Sequence, residues 1–411
     1  MSSAAPETAS GEIVMVIKTS SLEVDDRLRK EIQSARKLGF EVFVHCLLDE
    51  DKRVSGKTWG DACYQSHRLW TRRICSGHRF VWLHVLEFAL RLLLSSNGLM
   101  AYRPKSSVRR VLWLHDPVLM PVVPLAALSR AVGRTDSVVW DQHELPPEGW
   151  IRRSPFRALL KWVCRLPDHL ICANAARVGY LKSQGIVASD RDALVLNNFS
   201  DSDYSSQPVE SLDDSLFAWL QGERYLLLQG GGSTLRHVES VLDAVLSNRW
   251  PALKVVMVGG YDKDIVNAFR KRDPELFDSL IWRQGMVPQM ELARYADHAC
   301  GSLILYRANS PNQVYCEPNR LCQALCRGVP VIVGSNPPMA DVVKATGAGL
   351  VLDDDGQDAF GIVAAVRTLL ASPDYAEAAR RSRDRFDWKA QSRVIEIALD
   401  VRSAGPETVN V

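Results

Sequence analysis

Two kinds of segment alternate along this chain. Short, almost unbroken apolar runs are followed by longer stretches in which apolar residues return every three or four positions. An unbroken apolar run of strand length belongs to a strand covered on both faces, and the three-to-four spacing to a helix with one buried face. In the first half, residues 12–18, 42–48, 108–114, 137–140, 169–173 and 193–196 read as such strands. Residues 22–38, 80–95, 118–131, 156–165 and 175–184 read as the helices between them. The alternation stops in 198–214, rich in Ser and Asp, which reads as a linker. It then restarts, with strands at 225–229, 253–258, 280–283, 301–306, 329–333 and 349–352. Helices are expected from about residue 235 and at 290–295, 318–326 and 359–370.

Strand–helix alternation predicts a parallel sheet with helices on both faces. Two such runs predict an α/β chain of two doubly wound, Rossmann-like domains facing a cleft. The expected boundaries are a disordered N-terminus at 1–10, a first domain at 11–198, a linker at 199–222, a second domain at 223–385 and a C-terminal helical segment at 386–411. Ligands of such sheets bind beyond the carboxyl ends of the strands, so residues at strand ends are the candidates for chemistry.

Composition narrows the classes. The chain has 411 residues, 46% apolar and 24% charged, which excludes disordered and fibrous proteins. No repeat of 20 to 50 residues is present, so solenoids and propellers are excluded. The longest apolar stretch, 80–94, is broken by His84, Glu87 and Arg91 and falls short of the roughly 20 residues a spanning helix needs. The N-terminus is polar, without the apolar core of a leader. Nine cysteines without a C-x-x-C pair suit reduced thiols in the cytoplasm, not a disulfide scaffold or a zinc site.

Charge is uneven. The formal net charge of +2 divides into +8 for residues 1–200 and −6 for the rest. Part of the basic excess is Arg152, Arg153, Arg157, Lys161 and Arg165, interleaved with Phe156, Leu159, Leu160, Trp162 and Val163. At helical spacing this sets an apolar stripe beside a basic one. Such a helix either faces the core with a polar back or lies on an anionic membrane surface. No basic stripe with stacking aromatics appears, so nucleic acid is not an expected partner.

Candidate chemistry gathers at strand ends. Gly230-Gly231-Gly232 follows a strand and opens a helix, where backbone without Cβ atoms can approach a phosphate, and Arg236 lies one turn further on. Leu235 stands where a dinucleotide fingerprint needs its third glycine, so that fingerprint is not supported. Ser55-Gly56-Lys57-Thr58 is no P-loop, because Asp51 occupies the first glycine position. Pro318 suits a first helical turn and Gly328 a C-terminal cap. The N–H groups of Asn319, Arg320 and Leu321 between them would hold an anion, with Gln323 a turn further in. His115-Asp116 and His143-Glu144 end two strands of the first half. Asp353-Asp354-Asp355 before Gly356 reads as a solvated turn, and no metal is expected.

The stretch from Tyr315 to Ile332 resembles the PN-containing helix block of retaining glycosyltransferases of the GT-B architecture, family four. Further blocks agree in order over nearly the whole chain. They are residues 26–31 with 38–42, His115-Asp116, residues 141–145, Gln229 to Arg236, residues 284–288, and Phe386-Asp387-Trp388 before a last helix. The resemblance implies transfer of a sugar, with retained configuration, from a nucleoside-diphosphate donor of UDP, GDP or dTDP type. Donor-binding residues would be Gly231, Gly232, Gly285, Val287, Glu317, Asn319, Arg320, Leu321 and Gln323. His115, Asp116 and Arg236 would be catalytic, and His143 and Glu144 would face the acceptor, a glycan or a lipid-linked sugar. No cofactor is bound. The last helix would cross back to the first domain, and the protein would be cytoplasmic, peripheral at the inner face of the membrane. The sequence departs from the family at Gln323, where an acid is common, at Tyr315, and at Gly230, near the place of a second basic residue. An epimerase of the same architecture and a non-catalytic scaffold subunit are the alternative readings.

Overall fold

The apolar runs become the strands of two sheets. The computed structural model describes residues 11–17, 26–46, 58–59, 62–67, 69–74, 81–95, 98–101, 108–230 and 232–401. Residues 1–10, expected to be disordered, and Gly231 lie outside them. The chain forms two compact units, Met1–Asn197 with Gln391–Val411, and Asn198–Ala390.

The first sheet contains β1 (Gly11–Ile17), β2 (Phe40–Cys46), β3 (Thr58–Trp59), β4 (Ala62–Ser66), β5 (Arg109–His115), β6 (Ser137–Gln142), β7 (His169–Cys172) and β8 (Leu194–Val195), in the order β3-β4-β2-β1-β5-β6-β7-β8. Seven strands are parallel, and β3 pairs antiparallel with β4 at one edge. Strands 58–59 and 62–66 were not expected, since a short edge strand buries too little to show a continuous apolar run. The chain starts mid-sheet, builds outward through β2 and returns to build the other way from β5. The order therefore reverses between β1 and β5. With this strand order, the right-handed crossover rule assigns the Asp26–Lys37 helix to one face and the Val81–Leu94, Val123–Ala131 and Ser154–Val163 helices to the other. The Ser392–Ala398 helix packs on the Asp26–Lys37 helix and on β8, within the first unit. Residues 118–131 are not one helix. Pro117–Leu119 forms a 3-10 turn and the α-helix begins at Val123, because Pro121 and Pro124 interrupt the helical ladder.

The second sheet contains β9 (Tyr225–Gln229), β10 (Lys254–Val258), β11 (Ile281–Gln284), β12 (Gly301–Ile304), β13 (Val331–Val333) and β14 (Gly349–Val351), all parallel, in the order β11-β10-β9-β12-β13-β14. Its order reverses between β9 and β12. The Ser- and Asp-rich stretch differs from a linker. It forms the Ser202–Ser205 and Asp214–Leu220 helices, and Tyr204, Leu212, Leu216 and Leu220 are buried in the second core. Its apolar residues are sparse, yet each of these four is buried, which composition averaged over the stretch conceals. The Lys263–Arg272 and Pro337–Thr346 helices were also not foreseen. The eight described cysteines are all free thiols. Among the described residues no helix is long and apolar enough to cross a membrane.

Candidate functional site

In the first unit a charged cluster sits at the carboxyl ends of β5 and β6. The Asp26–Lys37 helix presents Arg27 and Glu31 one turn apart, hence on one side. Arg27 Nε donates to Glu31 Oε1 at 3.0 Å, and its Nη2 donates to both oxygens of Asp141 at 2.8 Å. Arg27 Nη1 donates to the Leu196 carbonyl at 2.6 Å, beside β8. His143, just past β6, places Nε2 at 3.4 Å from Asp141 Oδ2 and 3.0 Å from Nδ1 of His115, the last residue of β5. The carbonyl of His143 accepts from Arg177.

The charges of this cluster follow from its burial and from Arg27. Burial opposes ionisation of Asp141, but Arg27 and His143 outweigh it and hold the carboxyl well below its usual range. Burial and the neighbouring charge of Asp141 push Glu31 well above the carboxylate range. Burial depresses His143, yet the Asp141 carboxylate more than offsets it and raises the imidazole to about 9. His115, buried and facing His143, is pushed well below the ordinary value. At neutral pH His143 is therefore the imidazolium and His115 the neutral ring. His143 Nε2–H then donates to His115 Nδ1, which leaves the His115 proton on Nε2. That nitrogen is buried and has no hydrogen-bond partner among the described residues.

Glu31, His115, Asp141 and His143 bring four metal-ligating atoms within 4.8 Å of one another. The cations that the carboxylates take here are Arg27 and the His143 imidazolium. A divalent ion would have to displace the His143 proton and sit beside a guanidinium, so the donor set fits a proton better than a metal. Asp116 follows directly. Its backbone has φ 67 and ψ 147, a region nearly confined to glycine. The strain is held by an N–H bond to the Asp141 carbonyl at 2.8 Å and by Trp140 Nε1 on the Asp116 carbonyl at 3.1 Å. Glu144 is exposed and stands outside this bonding. Arg27, Glu31 and Asp141 fall in two blocks of the resemblance, residues 26–31 and 141–145, but were given no site role from sequence. The available signal was a run of charged residues at 26, 27, 30 and 31 flanking the apolar positions Leu28, Ile32 and Ala35.

In the second unit the centre is the end of β9. Gly230 has φ +85, and its N–H bonds the Val258 carbonyl at 2.8 Å. A side chain there would reach within 3.0 Å of Arg236 Nη1 and 3.4 Å of Arg320 Nη1, so two guanidinium groups converge on this glycine. A Cβ at Gly232 would collide with Val238 at 2.5 Å, so close packing requires that glycine. The loop does not run straight into a helix. Thr234–Arg236 is a 3-10 turn, His237 takes a left-handed conformation, and the α-helix is Val238–Val245.

Arg320 comes from the Asn319–Cys326 helix, whose N-cap is Pro318 and which has no side-chain cap. Its Nη1 and Nη2 donate to the carbonyls of Gln229 at 2.8 Å and Leu305 at 3.1 Å, and its guanidinium lies 4.5 Å over the Tyr306 ring. Burial first, and then the charge of Arg236, lower its pKa despite Tyr306. Arg236 lies 5.9 Å from the same ring. Asn319 is half-buried at the helix start. The Leu321 N–H, expected to face an anion, is bonded to the Pro318 carbonyl at 2.9 Å, and the Leu321 side chain lies in the core. Gln323 is buried, and its Oε1 accepts from Gln229 Nε2 at 2.5 Å. Glu317 is buried just before Pro318. Gly285 follows β11, where its carbonyl and that of Gln284 accept from the Gly259 N–H at 3.2 and 3.1 Å, and a Cβ there would meet nothing. Val287 packs half-buried against the second core. The triple Asp forms the turn its sequence suggests: Asp354 accepts from the Gly356 and Asp358 N–H groups at 2.8 and 2.9 Å.

No protein-family model and no curated protein sequence matches the chain. Solved structures do. A sucrose-phosphate synthase from Thermosynechococcus elongatus aligns over 94% of this chain and 98% of its own, with 14% identity and a TM-score of 0.68. The HepE protein of Anabaena, in complex with UDP and glucose, aligns over 95% and 99%, with 12% identity and a TM-score of 0.66. A trehalose-6-phosphate synthase structure analysed for glycosyltransfer with retention aligns over 95% and 99%, with 11% identity and a TM-score of 0.67. At these identities the likeness is one of fold. The two parallel-sheet domains are those of the GT-B architecture.

Proposed function

We propose that this chain is a nucleotide-sugar-dependent glycosyltransferase, similar to family four, that acts with retention. The observation that carries the reading is the pair of arginines at Gly230. Among the described residues, Arg320 bonds to carbonyls and faces an aromatic ring, with no carboxylate among its partners. Two like charges held at one glycine beside an uncapped helix start are complementary to a diphosphate. The end of β9 would therefore take the donor's pyrophosphate, with Gly232 and Asn319 supplying close backbone and Gly285 and Val287 the base side.

In the reaction, the bond from the sugar's anomeric carbon to the phosphate oxygen breaks, and the acceptor oxygen bonds that carbon on the same face. The acceptor proton passes to the leaving phosphate. Negative charge grows on the diphosphate as the bond breaks, so Arg236 and Arg320 stabilise the transition state more than the ground state. His115, Asp116 and His143 would line the acceptor side. The neighbouring proteins crystallised with UDP and glucose, or with UDP-2-fluoro glucose, support a UDP-sugar as the first donor to try. A glycan or lipid-linked acceptor, handled in the cytoplasm at the inner membrane face, fits polysaccharide synthesis.

Calorimetry with UDP, GDP and dTDP tests the donor. One of them is expected to bind the wild type and to lose roughly tenfold or more in affinity with Arg236→Ala. Binding of none would overturn the donor reading and leave the scaffold one. Release of an epimerised sugar without acceptor would favour an epimerase.

A further inference from the structure

The described residues expose large apolar side chains unequally, eleven in the first unit against six in the second. In the first unit they are ordered. Leu83, Leu86, Leu90 and Leu94 form one stripe of the Val81–Leu94 helix and are 46%, 56%, 56% and 80% exposed. Their spacing of three, four and four keeps them on a single outward line, while Val85, Phe88 and Leu92 are buried beneath. Leu128 and Val132 continue the pattern at the end of the Val123–Ala131 helix, and Leu159 and Trp162 on the Ser154–Val163 helix. These helices lie side by side. Ser129 Oγ donates to the Leu99 carbonyl, just past the first of them. Arg130 reaches the Leu166 carbonyl and pairs with Asp168, just past the third.

We propose that the outward faces of these three helices form one surface that seats on an anionic lipid bilayer. Contiguous exposed apolar surface of this kind marks an interface, and its charge selects the occupant. The Ser154–Val163 helix carries Arg157 and Lys161 and no acid, and exposed Arg153 and Arg165 flank it. The acid of the first helix, Glu87, is held by Arg91 and by the N–H groups of Trp70 and Thr71. The face is thus apolar and basic, which complements anionic headgroups above acyl chains. A second copy docked isologously would bring the same cations together. The inference deepens the lipid-linked-acceptor reading and rests on it for the purpose of the surface. Its test uses no nucleotide sugar, so the two can fail separately.

The test is co-sedimentation of the full chain with vesicles of phosphatidylcholine, pure or with a third phosphatidylglycerol. Partition onto the anionic vesicles is expected to be roughly tenfold higher in low salt than onto the neutral ones, and to fall in high salt. Leu86→Ser with Leu90→Ser, and separately Lys161→Glu with Arg165→Glu, should each reduce it by a similar factor while nucleotide binding stays unchanged. The salt series on the wild type decides for or against the surface even should a variant fail to fold. Protein that stays in the supernatant with anionic vesicles at low salt overturns the proposal. So does a dimer in light scattering that the leucine changes dissociate, with no vesicle binding.

Discussion

The two units each bury arginines at strand ends, and they treat them in opposite ways. In the first, Arg27 meets Asp141 and Glu31, and Asp141 also holds the His143 imidazolium, so the charges close on themselves. In the second, Arg320 meets the carbonyls of Gln229 and Leu305 and the Tyr306 ring, with Arg236 beside it. A closed set of charges fixes geometry, because removing one member strands the rest in a low dielectric. Two guanidinium groups of one sign that converge on one glycine favour an anionic ligand there. On the proposed function, the first cluster would be an orienting frame for His115, and the second a receptor for the donor's diphosphate.

Breaking the frame should cost most. Asp141→Ala leaves the buried Arg27 and the half-buried His143 without their carboxylate and is expected to lower unfolding stability by about 3–5 kcal/mol, read by denaturant titration of the full chain. If Arg236→Ala costs as much, the contrast between frame and receptor is wrong. Next is pH. The folded pKa of His143, about 9, lies above its ordinary 6.5, so its stabilisation is complete below 6.5 and is lost as pH rises through 9. The stability gap between wild type and His143→Gln should therefore be roughly 3 kcal/mol below pH 6.5 and vanish above pH 9. A gap that widens with rising pH would reverse the assignment of the imidazolium. Third, Arg236→Ala should weaken nucleotide binding by about 1.5–3 kcal/mol in calorimetry while changing stability by no more than ~0.5 kcal/mol. Smallest of all is Gly285→Ala. Nothing stands within 4 Å of the added methyl, so stability should stay within ~0.5 kcal/mol in denaturant titration.

The sheets were legible because their central strands are buried on both faces and so read as unbroken apolar runs. β9, Tyr225–Gln229, has the bounds its sequence predicts. The edge pair β3 and β4 was invisible because an edge needs no such run. In the sites, the glycines and His115 announced themselves by position at strand ends. Their partners did not. Arg27 and Glu31 sit 114 and 110 positions before Asp141, and no local period reveals a bond across that distance. Leu321 and Gln323 show the converse. Helical spacing placed them at the helix start, but spacing does not say whether an N–H or a carboxamide already has a partner inside the fold.

The backbone of Asp116 has one more consequence. With φ 67 and ψ 147, only glycine would sit there at ease, and an aspartate costs about 1–3 kcal/mol. Selection for robustness by itself would replace it. Directed evolution for heat tolerance should thus drift toward Asp116→Gly, and on the proposed function the hardier variants would transfer sugar less well, a trade-off written into a single dihedral angle.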